Sequence, residues 1–130
     1  MKNSLLTNFL FLGVIAFVFT SCDPLHTVDY QIYNDSDFKL WVKADSTVED
    51  SIEMPTGSMH LVRMIHQKGR AQNSLWEYNF PIVEHISASE GKVLAKDPND
   101  PSNWTSSLEK ESFVKSKVIA ELHITNDDLE

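Results

Sequence analysis

The chain has 130 residues, 19 acidic against 11 basic, and a formal charge of −8. Such a surface repels nucleic-acid phosphates and anionic headgroups, so a nucleic-acid partner is not expected. The lone cysteine, Cys22, excludes an internal disulfide and a CxxC redox pair, so a packed core must supply the stability.

At the N-terminus, Lys2 provides a positive charge ahead of FLFLGVIAFVF, the uncharged run from Phe9 to Phe19. A bilayer-spanning helix needs about 20 apolar residues, so this run has the length of a signal-peptide core rather than of a permanent span. Small Thr20 and Ser21 follow, and Cys22 comes next. FTSC resembles the lipobox of bacterial lipoproteins, with Phe19 where leucine is commonest, a relaxed form similar to boxes of Bacteroidetes lipoproteins. The resemblance implies cleavage after residue 21 and acylation of Cys22, which would consume the only thiol. Two or three acyl chains hold a protein stably where one binds reversibly. Removing residues 1–21 leaves 10 basic and 19 acidic residues, a slightly more acidic mature chain. The expected organisation is a signal peptide over 1–21, a lipidated cysteine and short tether over 22–27, and one domain over 28–130.

Period-two alternation marks the strands of that domain. In HTVDYQIYN, Val28, Tyr30 and Ile32 share a face; after NDSD, Phe38, Leu40, Val42 and Ala44 do so, with Lys39, Trp41 and Lys43 opposite. A short Asn/Asp/Ser turn between two alternating runs predicts a β-hairpin. Val48 to Met54 predicts a further strand, the turn Pro55-Thr56-Gly57 leads into Met59–His66, and LWEYNFPIV places Trp76, Tyr78, Phe80 and Ile82 on one face. Pro81 predicts an edge or bulge there. Ile86 and Val93 flank a turn closed by Gly91, and the two prolines of KDPNDPSN predict a loop. Ser106 and Glu109 fit a capping box, predicting one short helical turn within 106–117. In the last run, Val118, Ala120, Leu122 and Ile124 share a face. The whole predicts an all-β domain, a single Ig-like or transthyretin-like β-sandwich of about seven strands after a cleaved signal peptide.

YNDSDFKLWV, SIEMPTGSMHL, EGKVL, Asn103-Trp104 and a closing ITNDDL, in that order, resemble small Bacteroidetes-type lipoproteins with exported β-domains. The resemblance implies a lipid-anchored envelope protein and carries no catalytic residue with it.

The candidate chemistry is sparse. No HxH or HExxH spacing joins the five histidines, and His60 and His66, on one face of a predicted strand, lie too far apart to share a metal. Asp97–Ser102 alternates oxygen ligands as a calcium loop does, but Pro101 stands at a ligand position and the sharp-turn glycine is missing, so a structural Asp-Pro loop is the preferred reading. No metal and no cofactor are expected. There is no GxSxG or SxxK, and adjacent carboxylates such as Glu49-Asp50 point to opposite faces of a strand. An enzyme is not expected.

Trp41, between two lysines, and Trp104, after two prolines, are candidates for stacking on a glycan or small ligand. The duller alternative has Trp41 covering a sheet edge and Trp104 plugging the end of the sandwich, since large aromatics are mostly buried. Asp45-Ser46-Thr47 and Asp50-Ser51-Ile52 resemble the O-glycosylation signal of Bacteroidetes exported proteins, which implies Ser46 and Ser51 as acceptors. The expectation is therefore a membrane-anchored protein of the bacterial cell envelope, on its periplasmic face or on the cell surface. It would work as a protein-interaction or accessory subunit with an envelope protein as partner, or else as a glycan- or small-ligand-binding module.

Overall fold

The computed structural model describes residues 24–44, 50–69, 71, 83–110, 112 and 115–130. The signal run, Cys22, Ser46 and the LWEYNFPI stretch lie outside the described residues.

Among the described residues, seven strands form two sheets: β1 (Leu25–Asn34), β2 (Leu40–Lys43), β3 (Ile52–Met54), β4 (Met59–Lys68), β5 (His85–Ala88), β6 (Thr105–Lys110) and β7 (Lys115–Ile124). One sheet runs β4-β1-β7-β6 and the other β3-β2-β5. The expected all-β sandwich is the observed architecture. β1 already starts at Leu25, and His26 is buried there with Nδ1 3.1 Å from the Gly69 carbonyl, so residues 25–27 belong to the domain and not to a tether.

The alternation read from the sequence places the core. Val28, Tyr30 and Ile32 of β1 and Val118, Ala120, Leu122 and Ile124 of β7 are fully buried, facing Leu40, Val42, Met54, Ile86 and Ala88 of the second sheet. β1 and β7 run parallel, with Tyr30 beside Ala120. A large ring next to a methyl lets the layers interdigitate without a void. Fully burying each of these aliphatic side chains contributes about 1.5–3 kcal/mol, which makes this face the dominant stabilising element.

Three expectations about connections give way to tertiary structure. β1 and β2 do not form a hairpin: β1 pairs with β4 and β7, while β2 pairs with β3 and β5. NDSD is instead a corner that carries the chain from one sheet to the other. Asn34 is fully buried, its Nδ2 donates to the carbonyls of Phe38 (2.8 Å) and Met54 (2.9 Å), and its Oδ1 accepts from the Ser36 hydroxyl at 2.7 Å. An Asx side chain satisfying its own corner is as compatible with a sheet switch as with a tight turn.

The second concerns Ser106–Glu109, which is strand and not a helical turn. β6 pairs antiparallel with β7, Ser106 opposite Ala120 and Glu109 opposite Lys117. The hairpin is closed by the Ser112 N–H to the Lys115 carbonyl and the Lys115 N–H to the Ser112 hydroxyl. A ladder of backbone bonds outweighs one local cap. The third concerns His60 and His66. A bulge in β4 puts Tyr30 opposite Arg63 and Gln31 opposite Leu61, leaving Val62 as the extra residue. His60 thus pairs with inward-facing Ile32 and His66 with outward-facing Thr27, on opposite faces.

The Gly91 turn is as expected. Glu90 (φ 64°) and Gly91 (φ 75°) are both left-handed, the signature of a type I′ hairpin turn, and Ser87 bridges Val93 across it.

Candidate interaction faces

The outer face of the four-stranded sheet carries most of the chemistry that the core does not use. The bulge at Val62 sets it up. By shifting the register, it leaves Met59, Leu61 and Met64 all turned outward from β4, 49%, 38% and 48% exposed. Ile119, half-buried, lies beside Asp29 in the register, and Asp29 beside Met64, so apolar side chains of β4 and β7 flank a carboxylate on β1. Methionine is flexible and polarisable, which suits a surface that must fit another surface. β4 is also the outermost described strand of its sheet.

Set into this face is a charge that a solvated surface would not need. Asp29 is 3% exposed, and its Oδ2 receives the Lys117 ammonium at 2.8 Å. Its Oδ1 is buried without a hydrogen-bond partner. Removing one member of such a pair strands the other as an uncompensated buried charge.

Towards the end of the same face, Tyr33 stacks on His123 with ring centroids 4.6 Å apart and planes 7° from parallel. His123 Nδ1 lies 2.6 Å from the Asp35 carboxylate, and its Nε2 lies 4.0 Å from Glu121. Partial desolvation, reinforced by Glu121 and Asp35, pushes the Tyr33 hydroxyl above its usual pKa, so Tyr33 stays a neutral donor. Asp35 and His123 have the geometry of an acid–base dyad, but the outward ring nitrogen meets another carboxylate rather than a nucleophile. Among the described residues no three histidine or carboxylate groups converge to hold a metal.

The two tryptophans part company. Trp104 is 6% exposed, meets Tyr30 edge-to-face at 5.7 Å, and donates its indole N–H to the Pro98 carbonyl at 2.9 Å. Its ring closes the core, the duller of the two sequence expectations, and is not presented for stacking. Trp41 is half-buried on the outer face of the three-stranded sheet, between Glu53 and Ser87 in the register. The neighbouring lysines are engaged: Lys39 with Glu53 and Lys43 with Glu84, each at 2.8 Å.

The Asp97–Ser102 loop spends its oxygens on itself. Asp97 Oδ1 accepts from the Asn99 N–H and Asp100 Oδ1 from the Ser102 N–H, while Asn99 clasps both backbone groups of Val83. The hydrogen bonds from Ser102 lower the Asp100 pKa, and the whole set describes a folded loop that docks Trp104. Ser51 is exposed just before β3. Sequence reasoning missed the Met59–Leu61–Met64 row, since the bulge that creates it shows only as the interval from Val62 to Ile65.

Comparison of the chain with protein-family models, with curated proteins and with solved structures found no match.

Proposed function

We propose that this is a lipid-anchored protein of the bacterial cell envelope that acts as a non-enzymatic interaction or accessory subunit. Acylated Cys22 would be the anchor, and the outer face of the four-stranded sheet the contact surface. The observation that carries the contact is the Met59, Leu61 and Met64 row, three large apolar side chains turned to solvent on an outermost strand. Single exposed apolar residues are ordinary, but a row of three along one strand is the composition of an interface core. The tethering reading is supported by the FTSC sequence and by the immediate start of the domain after it.

Two variants test the reading separately. Cys22→Ala should move the protein out of the membrane fraction, and its persistence there would refute the anchor. Met59→Lys with Met64→Lys should leave the melting temperature unchanged and remove the co-purifying envelope protein. Retention of the same partner would refute the contact face.

A further inference from the structure

The charge of this acidic protein is not spread evenly. In the register of the four-stranded sheet, Leu25 pairs with Lys68 on one side and Lys115 on the other, and Lys110 pairs with the adjoining Ser116. Three exposed lysines therefore collect at the end where β1 begins, around a half-exposed Leu25. None of the three pairs with a carboxylate among the described residues. Among the described residues, Asp29 is ion-paired to Lys117 and Glu109 stands opposite Lys117 in the register. The far end of the same sheet gathers the opposite sign in Asp35, Asp37, Asp127 and Asp128.

The chain enters at the basic end. Only Asp23 and Pro24 separate Leu25 from Cys22, and a chain of that length spans at most about 10 Å from Leu25 at 3.3–3.6 Å per residue. A tether this short lets the end of the sheet rest on the surface that holds the cysteine, which would bring the lysine ammonium groups within a Debye length, about 8 Å at physiological salt, of its charge. The connection is also firm: the Gly69 N–H donates to the Pro24 carbonyl at 2.8 Å, clamping the end of β4, with Lys68, to the point of entry.

We propose that this end is the membrane-facing end of the domain, with Lys68, Lys110 and Lys115 resting on the phosphates of anionic phospholipids. The inference rests on the reading of Cys22 as a lipid anchor. The overall acidity then works in its favour: headgroups attract the near end, and the acidic far end would be repelled only if it tilted down to them, so the sandwich stands upright. The Met59–Leu61–Met64 row is held sideways, clear of the bilayer.

The test uses the full lipoprotein, purified from membranes and returned to vesicles of phosphatidylcholine alone or of phosphatidylcholine with phosphatidylglycerol. Rates of lysine acetylation are read by peptide mass spectrometry. A lysine near an anionic surface is held by a factor of about five, so Lys68, Lys110 and Lys115 should label about fivefold more slowly on the anionic vesicles. High salt should abolish the difference, and Lys39 and Lys92 should show none. Equal rates on both vesicles, with Cys22 acylated in the same digest, would overturn the proposed contact and leave the anchor standing. A Cys22 peptide without acyl groups would overturn the anchor itself.

Discussion

The Asn34 side-chain amide donates to the carbonyl of Met54, 2.9 Å away, and so joins the last residue of β1 in one sheet to the last residue of β3 in the other. The same amide also reaches Phe38, and Asn34 Oδ1 holds Ser36, so one buried side chain satisfies four polar contacts of the corner. Asn34→Ala should cost about 2–4 kcal/mol in urea unfolding, because it leaves buried carbonyls unpaired. Asn34→Asp should cost as much, since a carboxylate cannot donate to the carbonyls of Phe38 and Met54. A loss below 1 kcal/mol for either would mean that the corner is held by other bonds.

Trp104 and Trp41 should behave oppositely. Trp104→Ala removes a buried ring packed against Tyr30 and should cost about 3–5 kcal/mol. Trp41→Ala, at a half-buried site on the outer face, should cost about 1 kcal/mol. Glycan arrays probed with the folded Trp41→Ala protein address the ligand-binding alternative. Loss of retention by the variant while it is still folded at the assay temperature would support it, and an array that binds neither protein would count against it.

The Asp29–Lys117 pair predicts an asymmetry. Lys117→Met leaves Asp29 as an uncompensated buried charge and should destabilise by about 3 kcal/mol. Asp29→Asn combined with Lys117→Met should recover much of that loss. Additive losses in the double variant would show that the two groups act independently.

Asp128 predicts an acid limb. Partial burial raises its pKa, but the Thr125 N–H and hydroxyl and the Lys96 ammonium at 2.9 Å outweigh that and hold it below the usual carboxylate range. A carboxyl whose folded pKa is depressed adds stability above its unfolded value, and the contribution is lost as pH falls through the folded one. Asp128→Asn should therefore be less stable than the natural chain at neutral pH, and the gap should close below about pH 4. A gap that stays constant on further acidification, through the folded value, would show that the charge contributes nothing.

The parts of the fold that were legible in the sequence are those fixed by alternation. Val28, Tyr30 and Ile32, and Val118, Ala120, Leu122 and Ile124, could face only the core, because period two admits no other arrangement with one buried face. What was not legible depends on partners distant in sequence. NDSD has the composition of a hairpin turn, and only the burial of Asn34 between Phe38 and Met54 makes it a sheet switch. Ser106–Glu109 carries a local helix signal that pairing with β7 overrides. The bulge at Val62 turns Met59, Leu61 and Met64 outward together while separating His60 from His66, and strict alternation conceals both effects. Trp104 was placed in its loop correctly, but its burial depends on Tyr30, 74 positions away along the chain.

The central claim is that the outer face of the four-stranded sheet meets an envelope protein. The most direct measurement introduces a photo-crosslinking amino acid at Met64 in the full lipoprotein, with Glu53 on the opposite sheet as the control, and irradiates living cells. The account predicts one partner of defined mass attached through position 64 at near-stoichiometric yield, and none through position 53. No adduct at 64, or the same adducts from both faces, would contradict it.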